Sequence, residues 1–210
     1  MIKIHSSDRY DFFHIRLLFS TMKVLRYIMS LFFNPNKPKM IVVDDNHPKL
    51  EGHHDARAWW PNKIYIKRSH QYDVPLIEHE KTHLRQMWRG LSWTLYQINK
   101  NVRYDMEQEA YLVQIEYSLR EYMKSHPGLT RNEYRQYADE KARTYAGYLQ
   151  RNYGLDAGTD ERFLKDYDRW YLSHLHPWIV SQVGEDPVRH DQTPPKTPSN
   201  PEPPKNKYEF

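Results

Sequence analysis

The sequence predicts a helix-rich α+β domain. Two short runs have strand character, Lys39–Asp44 (KMIVVD) and Lys63–Arg68 (KIYIKR). Beyond Asp73 apolar residues recur at three- and four-residue steps, and end signals divide the run into four helices. The chain has 210 residues, enough for one domain with an appendage.

Taken in order, Asp8–Phe33 reads as a helix, with Phe12, Ile15, Phe19, Met22 and Met29 on one side. Residues 1–40 carry Lys3, Arg9, Arg16, Lys23, Arg26, Lys37 and Lys39 against only Asp8 and Asp11, so this end is strongly basic. Two readings are open: an amphipathic helix packed on the domain, or one that docks through residues 8–33 on a membrane surface or an acidic protein. Arg16, Lys23 and Arg26 interrupt the apolar run, so it is no clean signal peptide. Residues 46–62 look like a loop, with His47, His53 and His54 among Pro and Gly. In Lys63–Arg68, Ile64 and Ile66 share one face and lysines flank them, which suggests a half-buried edge strand.

Asp73 can cap a helix over Val74–Arg89, with Pro75 in its first turn and Gly90 as the stop. A second helix is expected over Asp105–Lys124, before His126-Pro127-Gly128. A third opens on Thr130 and Glu133 in capping-box spacing and runs to Asn152. A fourth covers Asp160–Leu175 and stops at His176-Pro177. Tyr134, Tyr137, Tyr145 and Tyr148 form an aromatic stripe on the third helix; acidic Asp139 and Glu140 interleave, so it reads as core packing rather than a nucleic-acid platform. Seven of the 14 prolines fall between Pro187 and Pro204, so the tail is expected to be extended or disordered, with nothing to fold around, and open to binding a partner protein. The expected organisation is a basic helix over 1–38, a domain over 39–182 and a Pro-rich tail over 183–210.

Composition narrows the chemistry. Without cysteine there are no disulfides, thiolate metal sites or cysteine nucleophiles, whereas 12 His are available. With 7 Gly and neither GxGxxG nor GxxxxGK[ST], a nucleotide loop is not expected. A net charge of +4 is too small and too mixed to imply nucleic acid.

The strongest motif is Ile77-Glu78-His79-Glu80-Lys81-Thr82-His83. His79 and His83 are four apart, so both imidazoles leave one helix face and can offer a divalent ion two nitrogens at ~2.0–2.1 Å. Glu80 then leans beside the ion, where its carboxylate can take a proton from water. An open tetrahedral site needs a third protein ligand. A third His six residues past His83 would supply it, but Arg89 stands there and Gln86 replaces the usual Gly, which excludes the metzincin arrangement. The next helix offers Glu107 and Glu109, two apart and so on nearly opposite sides. A short carboxylate reaching another helix needs small neighbours; Glu107 has Ala110 at i+3 where Glu109 has Leu112. Glu107 is the expected ligand and Glu109 the runner-up.

HExxH followed by Glu-x-Glu-Ala-Tyr resembles the gluzincin-type zinc metallopeptidases, in particular the small stand-alone zincins of bacteria and phages. The resemblance covers Lys63–Ser118, about a quarter of the chain. It implies a minimal zincin-like domain with a strand that aligns extended peptide, an HExxH helix and a glutamate helix. It further implies one Zn2+ per chain on His79, His83 and Glu107, with Glu80 as general base for peptide-bond hydrolysis. Where those families place an Asp to hold a ligand His, this chain has Tyr111, which either accepts that hydrogen bond or faces substrate. Tyr104, Tyr111 and Arg103 lie close enough to Glu107 in sequence to be candidate transition-state donors, and His53 and His54 candidate extra ligands.

The expected partner is a peptide or protein substrate, and the expected location the cytoplasm. The alternative from another class is a non-catalytic adaptor or structural protein on a zincin scaffold, part of a phage particle or peripheral at a membrane. Iron(II) or manganese would also suit two His and one carboxylate.

Overall fold

The computed structural model describes residues 36–50, 55–89 and 92–184, together with Val24, Tyr27 and Asn34. Apart from Val24 and Tyr27, the helix expected over Asp8–Phe33 lies outside the described residues, as do the His53/His54 pair and residues 185–210 of the tail.

Three strands make one mixed sheet: β1 (Lys39–Val43), β2 (Ala56–Trp59) and β3 (Lys63–Lys67), in the order β1-β3-β2. β1 runs parallel to β3 with Lys39 opposite Lys63, and β2 runs antiparallel with Ala58 opposite Ile64. β3 is therefore the central strand, not an edge. Its flanking lysines escape burial, Lys63 into solvent and Lys67 by reaching Asp55 at 2.9 Å, while Ile64 and Ile66 are buried. β2 lies inside the segment read as a loop. Four residues with alanine as the inward side chain leave almost no hydropathic trace, yet Ala56 and Ala58 are buried.

The register fixes which way β2 turns its backbone. The Lys67 N–H donates to the Asp55 carbonyl at 2.9 Å, so Asp55 and Arg57 face β3. By antiparallel alternation, Ala56 and Ala58 direct their own N–H and C=O outward along the open edge.

The helices are α1 (Val74–Trp88), α2 (Ser92–Ile98), α3 (Lys100–Ser125), α4 (Arg131–Asn152), α5 (Thr159–Trp170) and α6 (His176–Val183). Asp73 caps α1, accepting from the Leu76 N–H at 3.0 Å, and Thr130 with Glu133 closes the capping box of α4. α3 starts before the expected Asp105 because Asn99 caps it, accepting from the N–H groups of Asn101 and Val102. The preceding α2 had no counterpart in the sequence pattern. The fourth expected helix does not stop at His176-Pro177. A π-helical turn over Tyr171–Leu175 leads into α6, where Pro177 occupies the first turn and its missing N–H goes unneeded.

α1 is covered on two sides. Leu84 and Met87 pack on Ala56, Ala58, Ile64 and Ile66, while the opposite flank lies against α3. Beyond α3, a larger core joins α3, α4, α5 and α6 through Ile115, Leu119, Leu149, Phe163 and Ile179, each fully buried and each contributing about 1.5–3 kcal/mol. The tyrosine stripe divides: Tyr134 and Tyr137 pack with Tyr122, whereas Tyr148 is 39% exposed. Among the described residues no helix is long and apolar enough to cross a membrane.

Candidate metal centre

His79 and His83 leave α1 where it meets α3, and Glu107 faces them from α3. All three are buried, at 4%, 8% and 2% exposure. Nε2 of His79 and Nε2 of His83 stand 3.1 Å apart, and Glu107 Oε2 lies 3.6 Å from the first and 3.5 Å from the second. Donor atoms ~2.0–2.1 Å from a tetrahedral ion are separated by ~3.3–3.4 Å, a value these three distances bracket. Among the described residues, these three form the group able to hold a metal ion. Glu107 Oε2 is buried with no hydrogen-bond partner, which few native carboxylate oxygens tolerate without an ion or a water. The donor set and the orphaned oxygen fit a divalent metal.

Two of the three, His83 and Glu107, are oriented by hydrogen bonds with neighbours to which the sequence assigned no such role. Gln86, one turn past His83, donates through Nε2 to the Met106 carbonyl at 2.9 Å and to Glu109 Oε2 at 3.0 Å. Both of those partners only accept, so the amide orientation is forced and Oε1 remains as an acceptor. It lies 2.9 Å from His83 Nδ1, which must therefore carry a proton, leaving the Nε2 lone pair of neutral His83 for a metal. Glu109, the runner-up ligand, thus anchors Gln86 instead, and also pairs with Arg89 at 3.1 Å.

Tyr96, on the unforeseen α2, donates to Glu107 Oε1 at 2.8 Å. That bond occupies one carboxylate oxygen and presents the other to the imidazoles. Burial and the Glu107 charge push the Tyr96 hydroxyl far above the ordinary phenol range, so it stays a neutral donor. The Glu107 carboxyl is pulled down: burial opposes ionisation, but the neighbouring imidazoles of His83 and His79 outweigh it.

Glu80 stands beside the triad without joining it. The Ala58 N–H on the outer edge of β2 donates to its Oε2, which ties the carboxylate to the strand. Glu80, His79, His83 and Glu107 line a cavity of about 220 Å³ together with Tyr96 and Tyr153. On its other side His79 and Glu80 border a second cavity of about 700 Å³.

No protein-family model, curated protein or solved structure matches this chain.

The remaining candidates separate clearly. The Tyr111 hydroxyl does not hold a ligand imidazole; its ring packs edge-on against His79 at 4.7 Å and its oxygen meets the Tyr153 hydroxyl at 3.2 Å. His79 Nδ1 is left without a partner. Of the two readings of Tyr111, the cavity-facing one agrees with its place in the wall of the larger cavity. Tyr104 points away, donating to Asp166 at 2.7 Å with the Arg162 guanidinium 3.8 Å over its ring. Arg103 pairs with neither Asp105 nor Glu107. It donates to the carbonyls of Tyr96 at 3.1 Å, Gln97 at 2.9 Å and Tyr153 at 2.9 Å, binding the end of α2 and the end of α4 to the start of α3. Tyr153, the residue after α4, lines both cavities, and no pattern in the sequence marked it.

Proposed function

We propose that this protein is a zinc-dependent peptidase of the zincin type, with His79, His83 and Glu107 holding one zinc and Glu80 acting as general base. The observation that carries the reading is Glu80, a carboxylate 7% exposed beside the triad, outside the ligand set and fixed by backbone. The three ligand separations favour a tetrahedral ion. Cis ligands of an octahedral ion at ~2.1 Å would sit ~3.0 Å apart, and two of the three distances exceed that by half an ångström.

Bound zinc would supply Lewis acidity that brings the pKa of a water to ~7. Glu80 accepts the proton that the attacking water gives up as its oxygen bonds to the peptide carbon. The same carboxylic acid returns the proton to the amine nitrogen as the C–N bond breaks. Tyr153 lines both cavities beside the triad. Its hydroxyl is pushed far above the phenol range by burial and by Glu107, so it keeps its proton and can donate to the carbonyl oxygen. Tyr111 supports it through the hydroxyl pair. Peptide or protein is the substrate on this reading, and the cytoplasm the location.

The test is Glu80→Gln. The amide keeps an acceptor for the Ala58 N–H but takes no proton at neutral pH. Zinc content should stay at one per chain while cleavage falls by about 10²–10⁴-fold. Equal cleavage by both proteins at equal zinc would remove Glu80 as base. A zinc-replete wild type that cleaves nothing across a broad peptide library would support the non-catalytic scaffold instead.

A further inference from the structure

The two cavities at the triad share Ala56, His79, Glu80 and Tyr153, so they form one continuous groove. Its long direction runs along β2: Asp55, before the strand, borders the large cavity, Ala56 both, and Ala58 the small one. Along this edge the N–H and C=O of Ala56 and the C=O of Ala58 point outward. An extended peptide can add here as a further strand, with alternate side chains entering the cavities on either side of the triad.

The cavities are unequal. The larger, about 700 Å³, is walled by Leu76 of α1 and by the exposed end of the tyrosine stripe. Tyr145 stacks on Tyr111 with ring centroids 4.7 Å apart, and Tyr148 leans on Tyr145 at 6.0 Å, so two faces of fixed aromatic surface meet a side chain entering there. Arg151 lines the same cavity, with its guanidinium 5.8 Å from the centre of the Tyr148 ring. Among the described residues it forms no ion pair with a carboxylate. Of the two acids that line the same cavity, Asp55 is already bound to Lys67 at 2.9 Å and Glu80 accepts from the Ala58 N–H at the triad. At the aromatic end of the large cavity, away from Glu80 and the triad, the unmatched charge is therefore the Arg151 guanidinium.

We propose that the large cavity is the specificity pocket of this groove. It takes an aromatic side chain of an extended peptide, with Arg151 binding a carboxylate next to that residue. The proposal rests on the peptidase reading for why a peptide enters, but recognition is separable from cleavage. The carboxylate has two sources, a neighbouring Asp or Glu side chain or the end of the peptide chain, and Arg151 meets the same group in either.

The experiment measures binding to the zinc-loaded full chain carrying Glu80→Gln, by anisotropy of fluorescein-labelled hexapeptides. One peptide holds Phe-Glu at its centre with an amidated end; others replace Phe by Ala or Glu by Gln; a last one ends in Phe with a free carboxylate. Replacing Phe should weaken binding about tenfold or more, and replacing Glu by several-fold. Preference for the internal Phe-Glu peptide or for the free-ended one identifies the source of the carboxylate. Added Arg151→Glu should reverse the preference toward Phe-Lys, and Tyr148→Ala should reduce the preference for Phe over Ala; both residues are at the surface, so the fold is not at stake. Equal binding of the Phe and Ala peptides, an acid preference unmoved by Arg151→Glu, or no binding to any peptide overturns the proposal. Selective binding with no turnover of the same peptides by zinc-loaded wild type would instead overturn the peptidase reading and leave the pocket standing. Turnover without selectivity would do the reverse.

Discussion

Glu109 Oε2 stands 3.0 Å from Gln86 Nε2, and through that amide it acts on His83 rather than on any ion. Glu107 and Glu109 thus divide the labour by which side of α3 they leave. Glu107 meets the imidazoles; Glu109 fixes the group that fixes one of them.

Glu107→Gln should therefore abolish stoichiometric metal binding, whereas Glu109→Gln should retain one metal per chain with affinity lowered about 10–100-fold. Elemental analysis and chelator competition on the two variants check this. Stoichiometric metal in the Glu107 variant, lost in the Glu109 variant, would exchange their roles.

Gln86→Leu removes the acceptor for His83 Nδ1–H while nearly preserving volume. Metal affinity should fall by about 10–100-fold through loss of the tautomer that points a lone pair at the ion. Chelator competition reads the effect, and unchanged affinity would show that His83 is held by packing alone.

Tyr96→Phe takes away the donor to Glu107 Oε1 and leaves a buried carboxylate oxygen unpaired. The metal-free protein should lose about 1–3 kcal/mol in urea denaturation. No loss would mean that water replaces the hydroxyl.

Stripped of metal, the triad carries a proton-linked stability. His83 is buried, which lowers its pKa, but the Glu107 carboxylate raises it more, to about 9 from an ordinary 6.5. Because the folded value exceeds the unfolded one, this stabilisation is complete below about pH 6.5 and is lost as pH rises through about 9. Glu107, whose carboxyl is depressed from 4.5, has the opposite sense: its contribution is present above 4.5 and lost as pH falls below it. Urea midpoints of the metal-free protein should thus be highest between about pH 4.5 and 6.5 and decline on the alkaline side. His83→Gln should flatten that decline, and a slope that survives the substitution would place its origin elsewhere.

The α+β class and the starts of α1 and α4 were legible because each has a local cause: Asp73 and Thr130 cap the helical turns next to them, and Ile64 and Ile66 alternate. The juxtaposition of the candidate metal group was legible for the same reason, since His79 and His83 share a turn and Glu107 has Ala110 beside it on the helix. The features that stayed hidden depend on distant chain. β2 is defined by pairing with β3 and by burial of two alanines, neither of which has a hydropathic signature. Gln86 could be seen only as a missing Gly, because its function needs Met106 and Glu109 across an interhelical contact. Tyr96 and Tyr153 are two of 17 tyrosines, and only tertiary structure brings them to Glu107. Tyr104 misled for the converse reason: closeness in sequence to Glu107 says little on a helix, where neighbouring positions point in different directions.

Arg103 gives the cleft one stiff wall. By holding the carbonyls of Tyr96, Gln97 and Tyr153 with a single charged plane, it clamps two chain segments that are far apart in sequence into one unit with the start of α3. Prying Tyr96 and Tyr153 apart would break several charge-assisted bonds at once. β2, an edge strand of four residues, borders the same groove and is joined to the helical side by the Ala58–Glu80 bond and by the packing of Ala56 and Ala58 under Leu84 and Met87. On the peptidase reading, a guest in the groove would meet charge-assisted bonds on one side and a four-residue strand on the other.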